Sequence, residues 1–75
     1  MHRTKEQVFS DLRLTFSQRR IAGMYIYEIN RRENINETEI LASADLSNRK
    51  DFLQSLFARR FPETNQLIES GLWQI

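Results

Sequence analysis

The sequence predicts an all-α fold, a small three-to-four-helix domain, and three observations carry that reading. Apolar residues recur at three-to-four spacing along most of the chain rather than in strict alternation. Gly23, Pro62 and Gly71 are the only glycines and proline in 75 residues, so the turn signals that punctuate strands are missing. Capping residues also stand where the apolar runs begin.

The first helix starts at Thr4. Gln7 follows three residues later, a capping box in which the Thr4 hydroxyl accepts from the Gln7 amide and Gln7 reaches back. Val8, Phe9, Leu12 and Phe16 then form one apolar face. The next set, Ile21, Ala22, Met24, Tyr25, Ile26 and Ile29, points nearly opposite at ~100° per residue. The chain therefore either breaks near residues 18–23 or forms one long helix with two apolar faces. A straight helix from Lys5 to Arg32 would run ~42 Å, which suits a dimer better than so small a monomer. Residues 24–29 are also β-prone by composition, so a break or short strand near residues 23–29 is the structural alternative.

Residues 31–34 read as a polar connector. Asn36 caps a short helix with Glu37 and Glu39 in its positive first turn, and Ile35 and Ile40 are placed as a hydrophobic staple. That helix is expected to end near Ala44-Asp45. Ser47 is a natural cap for the next, which carries Phe52, Leu53, Leu56 and Phe57 towards Arg60. Phe61 is pushed out of helical geometry by Pro62, a preferred first helical residue, so a last helix is expected over residues 62–70. Gly71 then allows a left-handed cap that brings Leu72 to Leu67. The expected core joins Phe9, Leu12, Phe16, Leu53, Leu56, Phe57 and Leu67.

Size sets the terms for function. Residues 1–75 make a single small domain, which buries roughly 60–65% of its unfolded surface and gains from self-association or docking. With no cysteine there is no disulfide framework, thiolate metal site or thiol nucleophile, and a reducing cytoplasm is the expected location. The apolar share of 40%, the charged share of 28% and a net charge of +1 are those of an ordinary globular chain. No apolar run approaches the ~18 residues of a membrane span, and the polar start lacks a signal-peptide core.

Chemistry finds little support. His2 is the only histidine and lies next to the first residue. Asp45, Asp51, Glu37 and Glu39 sit near helix starts, where capping and the dipole account for them. Ser47 and Ser55 have no base nearby in sequence, and no glycine-rich phosphate loop is present. No catalytic residue, metal ligand, cofactor or small-molecule substrate is expected. The chain is expected to act by binding.

Two binding roles compete. The cationic doublets Arg19-Arg20, Arg31-Arg32, Arg49-Lys50 and Arg59-Arg60 read either as phosphate contacts or as a solvated surface balanced by acids. Residues 36–60 give a helix-turn-helix-like C-terminal half whose second helix opens on polar and basic residues, as a recognition helix does. The expected nucleic-acid contacts are Asn48, Arg49, Lys50, Arg59 and Arg60. On this reading the chain is a dimeric DNA-binding transcriptional regulator. The alternative is an adaptor or inhibitor that docks on a partner protein. Tyr25 and Tyr27 cannot share one helix face, so at least one is exposed, and exposed Tyr beside Arg is the composition of interfaces. Tyr25, Tyr27, Leu72, Trp73 and Ile75 are the expected partner-binding residues. A homodimer is expected through the segment 23–29 or the apolar tail.

Overall fold

The backbone of residues 3–59, those described in the computed structural model of the chain, is all helix and turn. Among them are α1 (Lys5–Asp11), α2 (Phe16–Glu33), α3 (Glu37–Ser43) and α4 (Arg49–Phe57), with no strand. The all-α expectation holds. The helix expected over residues 62–70, and Arg60, Leu67, Gly71, Leu72, Trp73 and Ile75, lie outside the described residues.

The capping box at Thr4 forms as its spacing implies. The Gln7 amide donates to Thr4 Oγ1 at 3.2 Å, and the Thr4 amide donates to Gln7 Oε1 at 2.8 Å. The break comes earlier than residues 18–23, at Leu12–Thr15. Arg13 adopts the left-handed region (φ 56°), and the chain closes α1 with two bonds: Arg13 N–H to Ser10 O and Leu14 N–H to Phe9 O, both 3.0 Å. These are the two bonds of a Schellman motif, and Leu14 and Phe9 supply its apolar contact in the core. Helices that end this way usually place glycine at the left-handed position, and here arginine stands there.

Thr15 then starts α2 with a second capping box. Gln18 N–H donates to Thr15 Oγ1 at 3.1 Å, and Thr15 N–H donates to Gln18 Oε1 at 2.9 Å. Residues 23–29 therefore continue one 18-residue helix, with no break and no strand there. Its end is fixed by Asn34 in the left-handed region, and Asn30 Nδ2 donates to the Ile35 carbonyl at 2.6 Å.

Asn36 caps α3 through a bond from the Glu39 amide (2.9 Å), while Ile35 packs on the core beside the buried Ile40, as a staple does. The cap of α4 is Asn48 rather than Ser47. The Asp51 amide donates to Asn48 Oδ1 at 2.9 Å, whereas Ser47 N–H is turned towards Asp45 Oδ1 at 2.9 Å. Ser55 Oγ holds the turn from the other side, accepting from the Asp45 amide at 3.2 Å.

One core results. Val8 and Phe9 of α1, Leu14 of the turn, Ile21, Ala22, Tyr25, Ile26 and Ile29 of α2, Ile40 and Leu41 of α3 and Phe52, Leu53 and Leu56 of α4 are all buried. Phe9 meets Phe52 edge-on with ring centres 6.1 Å apart, and Tyr25 meets Phe57 at 6.3 Å. Both α3 and α4 pack on the long helix α2, which is the spine of the domain. Leu12 and Phe57 are half-buried at the margin of this core.

Phe16 is the exception to the expected core, being 77% exposed. Because the break falls at Leu12–Thr15, Phe16 is the first residue of α2. It shares the outer side of that helix instead of continuing the inner face of α1.

Candidate functional site

The core face of α2 is formed by Gln18, Ile21, Ala22, Tyr25, Ile26, Glu28 and Ile29, all buried. At ~100° per residue the opposite face carries Phe16, Arg20, Gly23 and Tyr27 in one line, with Arg19, Met24 and Arg31 beside it. Phe16, Tyr27 (63% exposed) and Met24 (39% exposed) are the large apolar side chains left exposed among the described residues. All three lie on this one side of a single helix.

Gly23 stands in the middle of them. It sits in the helix interior, where glycine costs roughly 0.5–1 kcal/mol relative to alanine. Its backbone is helical, and a Cβ placed on it would meet nothing within 4 Å. No contact of the described fold explains the missing side chain. The glycine lies in a shallow, open hollow of about 530 Å³ lined by Arg19, Arg20, Gly23, Met24, Tyr27 and Glu28.

The charges around the hollow are arranged. Arg19 Nε donates to the Leu14 carbonyl at 3.1 Å, which holds its stem along the start of α2. Glu28 accepts from Arg31 and from Arg32, each with a contact of 3.0 Å. Those arginines, Arg31 foremost, hold its carboxyl below the usual carboxylate range against the opposing pull of burial. Four cations of α2, Arg19, Arg20, Arg31 and Arg32, stand against two acids, Glu28 and Glu33.

The residues expected to meet nucleic acid are arranged differently. Asn48 spends its side chain on the α4 cap, with Oδ1 accepting from Asp51 N–H and Nδ2 donating to Asp51 Oδ2 at 2.9 Å. Arg49 is half-buried and Nη1 donates to the Arg13 carbonyl at 3.4 Å. Lys50 is exposed. Arg59 lies beyond the other end of α4, bonded to Ser43 Oγ at 3.1 Å and paired with Glu33 at 3.5 Å. Asn48, Arg49 and Lys50 are thus brought together, and Arg59 is not with them. Over residues 36–60 the four acids Glu37, Glu39, Asp45 and Asp51 balance the four cations Arg49, Lys50, Arg59 and Arg60. The Asp45 carboxyl is held below its ordinary range by the Ser47 hydroxyl and backbone amide, so it keeps its charge.

Tyr25 is fully buried, which removes it from the surface role expected for it. Its place on the inner face puts its ring against Phe57, and Tyr27, two residues on, takes the outer side. Of the outer face, Tyr27 alone was among the expected site residues; Gly23 and Met24 fell within the segment 23–29 expected to carry a homodimer contact, and Phe16 was placed in the core. The signal that would have found Phe16 is the spacing of Thr15 and Gln18, which repeats that of Thr4 and Gln7 and places Phe16 at a helix start. No group of three or more histidine, cysteine or acidic residues suited to holding a metal occurs among the described residues.

Comparison with known proteins adds no relative: no family model, curated protein or solved structure matches the chain.

Proposed function

We propose that the chain is a small non-enzymatic interaction module that works by docking the outer face of α2 on a protein surface. The observation that carries this reading is Gly23. It is a mid-helix glycine that the fold does not require, ringed by Phe16, Met24, Tyr27 and two arginines. Tyrosine, phenylalanine, methionine and arginine are the residues enriched at protein interfaces, and a hollow among them is where an anchoring side chain seats. Two cations over an apolar strip add orientation rather than bulk affinity.

Duplex DNA is the second reading, favoured by the gathering of Arg13, Arg49 and Lys50 around the start of α4. The acids of α3 and α4 oppose it locally, because phosphate binding is driven by unbalanced cationic charge.

A photo-crosslinking side chain placed at Tyr27, and in a separate variant at Lys50, tests both in the cell of origin. Protein adducts from position 27 are the expected result. Nucleic-acid adducts from position 50 with nothing from position 27 would overturn the docking reading in favour of DNA. Silence at both positions would overturn both.

A further inference from the structure

We draw no further inference here: the strongest candidate, the exposed face of α2 that carries Phe16, Met24 and Tyr27 around Gly23, belongs to the site already described, and nothing in the structure shows what covers it.

Discussion

The two faces of α2 invite comparison, because both carry large apolar side chains and only one is used by the fold. On the inner face Ile21, Tyr25, Ile26 and Ile29 are sealed by α1, α3 and α4. On the outer face Phe16, Met24 and Tyr27 stand in solvent around a glycine. The inner set is branched or aromatic and closely packed, which is what fixes a single arrangement. The outer set is separated by arginines and leaves a hollow. Apolar periodicity marks both faces alike; what separates them is the number of helices available to cover each. Residues 3–59 supply three short partners for one long helix, and three short helices cover one side.

The comparison breaks most visibly if the inner face proves dispensable. Phe52→Ala removes a fully buried ring that packs on Phe9 and should cost about 3–5 kcal/mol, the usual range for such a truncation. That approaches the whole stability of a domain this size, so the variant should be largely unfolded at 25 °C by circular dichroism and urea titration. A loss below about 1 kcal/mol would mean that the core is not where the buried side chains place it.

Next in size is the start of α2, which decides what each face contains. Thr15→Ala removes the acceptor for the Gln18 amide and should cost about 1 kcal/mol, within the range of 0.5–2 kcal/mol for lost caps. Thermal melting against the wild type measures it. No loss would show that α2 does not begin at Thr15, and Phe16 would then have no reason to face outward.

This second prediction also marks how far the sequence could be read. Caps written in local spacing were legible: the Thr4 and Gln7 box, the Asn36 cap and the staple of Ile35 and Ile40 each need only neighbours in the chain. The break after α1 was placed too late because its left-handed residue is Arg13, where sequence patterns signal such a turn by glycine. That displacement carried Phe16 into the expected core. The α4 cap was one residue off because Ser47 and Asn48 are both good caps, and the choice rests on which side chain reaches Asp51. Within the site, an exposed tyrosine was legible from two tyrosines two residues apart. The emptiness around Gly23 was not, because it depends on where α1, α3 and α4 fail to reach.

A third variant separates the needs of the fold from those of the outer face. Gly23→Ala adds a methyl group into open space on a helix, so it should stabilise the monomer by about 0.5–1 kcal/mol. The same methyl group narrows the hollow on which the docking proposal rests, so protein adducts from position 27 should fall as the fold strengthens. Denaturant titration reads the first effect and the cross-linking yield reads the second. A destabilised fold would mean that Gly23 serves the fold after all, and an undiminished yield would mean that the hollow receives nothing.

The smallest effect is expected where the exposed area is largest. Phe16→Ser and Tyr27→Ser remove aromatic rings that are 77% and 63% exposed, so each should change stability by less than about 0.5 kcal/mol. Replacing Phe16 also leaves the Thr15 box intact, because both of its bonds run between Thr15 and Gln18. The contrast with Phe52→Ala is the point: three aromatic residues of one small domain, one indispensable to folding and two nearly neutral. Near-neutrality has a physical cause, since an exposed ring keeps most of its hydration in the folded state and loses little on deletion. In the proposed docking such a residue has its use in an encounter rather than in the fold. If either serine variant melts several degrees below the wild type, as a loss of about 1 kcal/mol would produce in a domain of this length, then that ring is covered within the monomer. The outer face of α2 would then be part of the core, and the distinction between the two faces would disappear.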